Sequence, residues 1–163
     1  MDAGECCLQP QPSFWEQRKR CEGDAVTETR SAPAPSPASA PFWEATERKK
    51  LTMQRCTTCG RLVWYPRYAC PHCGSGELRW EDLSGRGVVY AVSVHHRSPA
   101  PELADRTPYS VVLVDLEEGA RIMSNVFGAA PKIGDSVSVV WEPLADGRHL
   151  PAFAPLDGAG SAP

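Results

Sequence analysis

Two cysteine pairs with the same spacing constrain this chain more than any other feature. They are CTTCG over residues 56–60 and CPHCG over residues 70–74. Two thiolates in one tight turn can bind a single metal ion, and the residue that follows often needs a positive φ, which glycine adopts without steric cost. Two such turns supply four soft ligands and close a tetrahedral site. The expected ligands are Cys56, Cys59, Cys70 and Cys73.

Zinc is the metal that this pattern favours, and four thiolates leave it no open coordination position, so its role is structural. Iron is an alternative, because four thiolates also suit iron. A redox dithiol or a disulfide pair is a second alternative, although one pair suffices for redox work and no strand-then-helix pattern surrounds either pair. His72 lies inside the second pair and is expected to be a solvated turn residue.

The bulk properties allow one ordinary domain or two very small ones in 163 residues. A formal net charge of −3 argues against a nucleic-acid-binding protein, which usually has a basic excess. No apolar run is long enough to span a bilayer, and no secretory signal is visible. Together with a thiolate metal site, these observations predict a cytoplasmic protein without a membrane partner.

The first 40 residues are predicted to be a disordered extension. They contain few apolar residues and end in a run of proline, alanine and serine, which cannot bury enough surface to offset the entropy of ordering. Cys6, Cys7 and Cys21 lie in this extension and are expected to be spare thiols. A short helix is expected over residues 41–53, because Pro41 suits a first helical turn.

The rest of the chain predicts a mainly β protein. Residues 54–80 form the expected metal module, with a strand at 61–65, and residues 156–163 a flexible tail. Residues 81–155 contain five short β patterns, which suit a closed five-stranded OB-fold barrel. The predicted strands are 87–94, 109–116, 120–126, 136–141 and 151–154, with a turn at 117–119 and a long loop at 97–107.

Several segments, taken in order, resemble one family. They are FWE at 42–44, QRCTTCG at 54–60, PR at 66–67, CPHCG at 70–74, LSGRGVVY at 83–90 and PY at 108–109. The chain is similar to the acyl-CoA-associated zinc-ribbon and OB-fold proteins known as domain of unknown function thirty-five. The resemblance extends over about residues 41–155 and leaves the first 40 residues unexplained.

This resemblance implies an N-terminal helix, a rubredoxin-like zinc ribbon and a C-terminal OB-fold. Members of the family are accessory subunits of thiolase-like enzymes and hot-dog-fold hydratases in acyl-CoA metabolism, including steroid side-chain degradation and polyketide-type acyl transfer. The OB domain is held to bind or help enclose the CoA thioester. The zinc ligands carry over to the four cysteines, and no catalytic residue carries over.

Three arginines are the candidate contacts for acyl-CoA phosphates: Arg86, Arg97 and Arg106. Guanidinium groups suit bidentate phosphate contacts. Arg86 lies in a Gly-Arg-Gly segment, where a ligand can approach the backbone closely, or which is simply a tight turn. Arg97 begins the long loop, which either closes over a ligand, docks on a partner or only connects two strands.

The sequence therefore predicts a non-catalytic accessory subunit that binds acyl-CoA and supports a thiolase-like or hydratase partner. The helix at Phe42 and Trp43 is expected to pack either on the protein's own body or on a partner, since a fully solvated pair would be costly. In the accessory-subunit hypothesis, the ribbon and this helix face the partner enzyme. A zinc-ribbon and OB-fold module that binds nucleic acid is an alternative, supported by Trp64, Tyr65 and Tyr68 near two arginines. A stand-alone acyl-CoA enzyme is the third hypothesis, but no nucleophile, base and orienting group are apparent.

Overall fold

A computed structural model describes residues 30–156 of the chain. The predictions for Cys6, Cys7 and Cys21, for the extension before residue 30 and for residues 157–163 lie outside the described residues. Within residues 30–156, no helix has the length and apolar character needed to cross a bilayer.

The described residues form a mainly β protein with a short N-terminal helix, as predicted. The elements are α1 (Ala40–Glu47), β1 (Thr52–Cys56), β2 (Leu62–Val63), β3 (Leu78–Asp82), β4 (Arg86–His95), the 3-10 helix η1 (Pro101–Arg106), β5 (Tyr109–Leu116), β6 (Arg121–Phe127), β7 (Ser136–Pro143) and β8 (His149–Pro155). They form two antiparallel sheets. The first has the order β2-β1-β3, and the second has the order β6-β5-β4-β7-β8.

The five-stranded sheet corresponds to the predicted OB-fold, but a seam remains between its two edge strands. In the described chain, β6 and β8 do not pair through their backbones. The Ser124 hydroxyl donates a hydrogen bond across the seam to the Pro151 carbonyl at 2.5 Å. Pro151 and Pro155 have no N–H group, so they cannot contribute donors to a strand ladder at this edge.

The expected strands at 87–94 and 109–116 are present as β4 and β5. Their inward side chains form the core of the barrel together with residues from β6 and β8. The largest fully buried ones are Val89, Val112, Val114, Ile122 and Phe153. Burial of each such side chain contributes roughly 1.5–3 kcal/mol.

The helix is shorter than predicted. The prediction for residues 41–53 is wrong beyond Glu47, where α1 ends. Lys49 adopts a left-handed φ of 56°, which closes the last turn and redirects the chain. Leu51 and Met53 then enter the core that the helix shares with the barrel. Burial of Leu51 just before β1 and of Met53 within β1 therefore overrides the helical pattern.

The helix packs on its own molecule. Phe42, Ala45 and Thr46 are buried, and Phe42 is only 4% exposed. The Phe42 ring lies edge-on to Trp43 and to Trp64, with centroid distances of 5.1 and 5.3 Å. Phe42 is therefore an internal link between helix and ribbon, so of the two options that the sequence left open, this side chain packs on its own molecule and does not itself face a partner.

The ribbon has two strands that the sequence pattern did not indicate. β1 and β3 pair along their whole lengths, from Thr52 opposite Asp82 to Cys56 opposite Leu78. The strand expected at 61–65 shortens to Leu62–Val63. The ribbon sheet therefore extends about two residues beyond each predicted boundary, 54 and 80.

The segment before the helix lies against the barrel. Residues 30–39, which we call the strap, have no regular secondary structure up to the turn that leads into α1. The Arg148 guanidinium donates a hydrogen bond to the Pro33 carbonyl at 2.8 Å, and the Ala145 N–H donates to the Arg30 carbonyl at 3.3 Å. The end of the predicted extension is thus attached to the turn between β7 and β8, because strap carbonyls accept hydrogen bonds that a composition argument does not consider.

Candidate metal centre and ligand groove

Both cysteine pairs form the expected turns. The Gly60 N–H donates to the Cys56 carbonyl at 2.8 Å, and the Gly74 N–H donates to the Cys70 carbonyl at 2.8 Å. The two glycines have φ values of 73° and 77°, in the left-handed region where side chains are strained. The prediction that glycine is needed after each pair is confirmed.

The turns bring four sulfur atoms together. The Sγ atoms of Cys56 and Cys73 are 3.6 Å apart, as are those of Cys59 and Cys70, and all four lie within 4.8 Å of one another. A tetrahedron of zinc–sulfur bonds of about 2.3 Å has edges of about 3.8 Å. The cage therefore fits one tetrahedrally bound ion, and the four predicted ligands are positioned for metal binding.

The protein provides little packing around this cage. Cys56 and Cys70 are buried with Val63, and Leu78 packs against them, in a cluster separate from the main core. The other two ligand cysteines are exposed. Besides this small cluster and the Thr58–Ser75 hydroxyl contact at 2.8 Å, a metal ion bound by the four thiolates would be the main link between the two turns.

The protonation of the thiols suits a cation. The Cys59 N–H, followed by other hydrogen bonds, lowers the pKa of Cys56 to about 6, although burial opposes this. The Ser75 N–H lowers the pKa of Cys73, but burial and hydrogen bonds from the other three thiols outweigh it and raise that pKa to about 12. The cluster thus releases one proton readily and retains another, which a bound divalent ion would displace.

His72 is not a ligand in this arrangement. Its Nδ1 atom lies 3.2 Å from the Arg61 guanidinium, on the exposed side of the second turn. Because a guanidinium only donates, Nδ1 acts as the acceptor of this hydrogen bond. This is the exposed turn position expected from the sequence.

A second candidate site lies between the ribbon and the barrel. It is a groove of about 490 Å³, within the usual range for ligand pockets. Its walls are formed by the strap, the start of α1, residues 64–66 after β2, the edge strands β6 and β8, and Glu142 of β7. Its larger apolar and aromatic lining residues are Trp43, Trp64, Tyr65, Met123, Phe127 and Leu150.

Exposed apolar side chains mark the groove as a binding surface. Met123 is 58% exposed and Tyr65 is 54% exposed. Contiguous exposed apolar surface on a soluble domain commonly marks an interaction site. The indole N–H of Trp64 is buried beside the groove and has no acceptor among residues 30–156. It is a donor that a bound carbonyl group would satisfy.

Arg106 closes one end of the groove. Its guanidinium forms an ion pair with Glu142, and its central carbon lies 3.4 Å from the centroid of the Phe127 ring. Glu142 and Phe127 both line the groove. The last residue of η1 is therefore attached to the groove, and the long loop at 97–107 flanks it.

The three arginines predicted to contact CoA do not lie together. Arg97 and Arg106 bracket the loop at one end of the barrel, whereas Arg86 begins β4 at the other end. β4 has ten residues, which at about 3.3 Å each separate its ends by about 30 Å. Arg86 therefore cannot share a phosphate with the other two.

The glycines around Arg86 have a packing role. A Cβ atom on Gly85 would lie 2.4 Å from the Val139 side chain, and one on Gly87 would lie 2.5 Å from the Asp115 carbonyl oxygen. The close approach predicted for this segment is thus made by neighbouring strands of the barrel. The space next to each glycine is already filled by protein.

The acidic residues at the β5–β6 turn also have structural partners. Arg121 forms an ion pair with Asp115 at 2.6 Å, which holds the pKa of Asp115 below its ordinary value. The Ser84 N–H donates to the Glu118 carboxylate at 2.6 Å. Across residues 30–156, no serine or cysteine is hydrogen-bonded to a histidine, and the Ser84 hydroxyl reaches the Glu117 carboxylate only at 3.5 Å.

The groove itself was not predicted from the sequence. It is assembled from the strap and α1, residues 64–66, and strands β6, β7 and β8, which a short sequence window does not bring together. The segments FWE at 42–44 and PR at 66–67 contribute to it, but they indicated the family and not a groove. One signal was available: β6 places the apolar Met123 on the outward face, where alternation calls for a polar residue.

Comparisons with known proteins support this architecture. Residues 43–79 match the family described as ChsH2, rubredoxin-like zinc ribbon domain, and residues 80–142 match the family described as ChsH2, C-terminal OB-fold domain. The boundary between the two matches falls in β3, where the ribbon sheet meets the barrel.

Two relatives and one solved structure indicate the range of similar proteins. A probable enoyl-CoA hydratase alpha subunit from Thermomonospora curvata is 38% identical over 77% of this chain and 40% of its own length. A DUF35 domain-containing scaffold protein from Methanothermobacter thermautotrophicus is 36% identical over 61% of this chain and 77% of its own length. A chain of the Ltp2-ChsH2(DUF35) aldolase structure is 37% identical and has a TM-score of 0.68. The match covers 77% of this chain and 100% of that chain. The chain thus spans less than half of the hydratase subunit.

Proposed function

The chain belongs to the ChsH2-type family of zinc-ribbon and OB-fold proteins, which includes DUF35 scaffold proteins, and we propose that it is a non-catalytic scaffold subunit of an acyl-CoA enzyme. Its partner is a hydratase, an aldolase or a thiolase-like enzyme. It binds that partner and helps to hold the acyl-CoA substrate. The catalytic residues belong to the partner.

The groove is the observation that carries this proposal. It is apolar, lies between two domains and is about 490 Å³ in volume. An acyl chain with its pantetheine arm is a long, mostly apolar ligand with a few carbonyl groups. Such a ligand suits a groove lined by aromatic side chains with the unpaired N–H of Trp64 beside it.

The phosphates of CoA belong outside the groove, near the loop at 97–107. Arg97 is exposed, and among residues 30–156 its side chain makes no hydrogen bond or ion pair. Arg106 is engaged with Glu142, so it must exchange this partner to bind a phosphate. We assign Arg97 as the first phosphate contact and Arg106 as the second, and we place Arg86, at the other end of β4, outside this shared phosphate site.

The metal has a structural role in this proposal. Zinc bound by Cys56, Cys59, Cys70 and Cys73 fills all four positions of a tetrahedral site. Substrate therefore has no position on the metal. The metal fixes the turn end of the ribbon, and the residues after β2 that line the groove belong to the same ribbon.

Binding of the partner is tested by co-purification. The chain is mixed with the acyl-CoA enzyme encoded beside it, and size-exclusion chromatography is run with and without substrate. We expect one co-eluting complex, and activity of the enzyme that depends on this chain. Separate elution, together with unchanged activity, would refute the scaffold role.

Binding of acyl-CoA is tested by calorimetry with octanoyl-CoA on the co-purified complex. Met123→Glu places a charge in the apolar groove and should weaken binding at least about tenfold. Ile133→Glu is the matched control, because Ile133 is 69% exposed, apolar and outside the groove lining. Equal affinity of the two variants would exclude the groove as the acyl site.

A further inference from the structure

The outer wall of the groove is the strap, a segment that precedes both domains. Four strap residues line the groove: Arg30, Pro33, Ser36 and Ser39. We infer that the strap is a functional wall of this ligand site, and that Arg148 is the positioning residue that fastens it. This inference rests on the proposed function, in which the groove holds an apolar acyl group.

Arg148 is built into the molecule around the strap. It is only 8% exposed, which is unusual for an arginine. Its Nε donates to the Asp146 carboxylate at 2.6 Å, and its second terminal nitrogen donates to the Pro33 carbonyl at 2.8 Å. Its guanidinium carbon lies 4.7 Å from the centroid of the Trp43 ring, which lines the groove. One side chain therefore connects the strap, the helix and the β7–β8 turn.

Two further contacts fasten the strap on either side of Pro33. The Ala145 N–H donates to the Arg30 carbonyl at 3.3 Å. At the other end, the Trp43 N–H in α1 donates a hydrogen bond to the Ser39 carbonyl at 3.2 Å, which joins the strap to the helix. The residues that line the groove are thus held between fixed points.

The hydrogen bonds of Arg148 are strong enough to hold the strap against the groove and weak enough to be broken by a single substitution. The two bonds from the guanidinium are charge-assisted, and each one of this kind changes an equilibrium by about tenfold to a hundredfold. The other terminal nitrogen of Arg148 is buried without an acceptor among the described residues. Detachment of the strap would expose the Arg148 guanidinium to water, so this group can form hydrogen bonds either with the strap or with solvent.

The position of the strap has a consequence for selectivity. With the strap fastened, the groove has walls on the ribbon, barrel and N-terminal sides and accepts a chain of limited width. With the strap released, the side occupied by Pro33 and Ser36 opens to solvent. We therefore expect the strap to raise the affinity for acyl groups that fill the groove, with little effect on CoA itself.

Arg148→Lys tests this inference in the full-length, metal-loaded protein. Lysine keeps the charge but lacks the planar fork needed to bond Asp146 and Pro33 together. Arg121→Lys is the matched control, because Arg121 also pairs with an aspartate and stacks on an aromatic ring, 3.3 Å from the Tyr90 centroid, and does not line the groove. Thermal melts establish that both variants fold.

Two measurements are made on each protein. Amide exchange at Ala145 reports whether the strap is attached, and the affinities for octanoyl-CoA and free CoA report on the groove. In Arg148→Lys we expect exchange at Ala145 to accelerate about tenfold or more, and octanoyl-CoA to bind about tenfold more weakly than in wild type. Arg121→Lys should change neither quantity.

Ala145→Pro provides a second variant that leaves the buried guanidinium intact. It removes the N–H bonded to Arg30 at a turn position that tolerates proline. It should weaken octanoyl-CoA in the same direction as Arg148→Lys.

The results distinguish failure of the proposed acyl site from failure of the inferred role of the strap. If the wild-type protein does not bind octanoyl-CoA, alone or in complex, the acyl site fails, and the exchange data still decide whether Arg148 fastens the strap. Unchanged exchange at Ala145 in Arg148→Lys would overturn the fastening role. Faster exchange with unchanged octanoyl-CoA affinity would overturn the role of the strap as a wall.

Discussion

Loss of the metal should unfold one end of the ribbon while the barrel persists. Two hydrophobic clusters decide this outcome. Among residues 30–156, the cluster beside the cage contains only Val63 and Leu78 in addition to Cys56 and Cys70, whereas Leu51 and Met53 belong to the main core with the barrel strands. The turn end of the ribbon thus depends on the metal, and the start of β1 depends on the barrel.

The free energies of apolar burial and of metal binding identify the metal as the main source of stability at the turn end of the ribbon. Burial of Val63 and Leu78 contributes roughly 1.5–3 kcal/mol each as an upper bound, since Leu78 is only half-buried. A structural zinc site in a small module contributes about 10–16 kcal/mol of apparent binding free energy at neutral pH. The aliphatic contacts cannot replace a term of this size.

Cys59→Ser and chelation of the wild-type protein are the two perturbations. Both should speed amide exchange at Gly60 and Gly74, whose N–H groups are bonded within the turns. Exchange in β4 and β5 should change by less than about tenfold, because their ladder belongs to the barrel. Cys21→Ser is the control for the loss of one thiol and should retain one metal ion per chain.

Two outcomes would refute this reasoning. Retention of a full equivalent of metal by Cys59→Ser would show that the site needs fewer than four thiolates. Slow exchange at Gly60 and Gly74 in the metal-free protein would show that the turns are stable without an ion. Metal content measured by mass spectrometry, together with exchange data on the same samples, separates these results.

Two further predictions concern the core and are tested by thermal or denaturant unfolding. Gly87→Ala places a Cβ 2.5 Å from the Asp115 carbonyl oxygen, a backbone atom that cannot move away, and should lower the free energy of unfolding by about 1–3 kcal/mol. Gly76→Ala is the control, because the nearest atom to its Cβ lies at 3.7 Å. Equal stability of the two variants would contradict the predicted clash at Gly87. Phe42→Ala should lower the free energy of unfolding by about 3–5 kcal/mol, because the ring links the helix, the ribbon and the barrel core. Tyr68 is exposed, so Tyr68→Ala should cost less than about 0.5 kcal/mol. A similar cost for both variants would refute the internal position of Phe42.

The barrel strands could be predicted from the sequence because alternation and turn glycines mark them. β5 alternates buried and half-buried residues along most of its length, and Gly119 ends the turn after it with a φ of 90°. The cysteine cage could be predicted for a similar reason, since four ligands and their glycines lie within 19 residues. In these segments local chemistry and the final fold agree.

The helix end and the ribbon strands could not be predicted in this way. Met53 lies at a helical spacing from residues of α1, but its burial between ribbon and barrel requires a strand. β3 has no fully buried residue and pairs with β1 over five residues, so its register is set by its partner. Such elements depend on contacts between distant segments, which periodicity within a short window does not contain.

The metal cage cannot bind substrate, which leaves the groove as the candidate ligand site. Four cysteines dominate the sequence, yet a closed cage offers substrate no coordination position. Glu118 and Asp115, at the β5–β6 hairpin, are engaged with Ser84 and Arg121. The groove is mainly apolar, and an apolar groove recognises shape and surface. This chemistry suits a subunit that holds a substrate for another subunit to transform.

The distribution of charge weighs against the alternative of nucleic-acid binding. Residues 41–80 contain seven lysines and arginines against three acidic residues, whereas residues 81–156 contain six against ten. Tyr65 and Tyr68 are exposed on the basic half, as a stacking surface requires. A nucleic acid that extended from this ribbon onto the barrel would, however, meet a net negative domain, and phosphate contacts supply most of the affinity in such complexes. The same asymmetry suits a subunit that presents a basic ribbon and an acidic barrel to different surfaces of one partner enzyme.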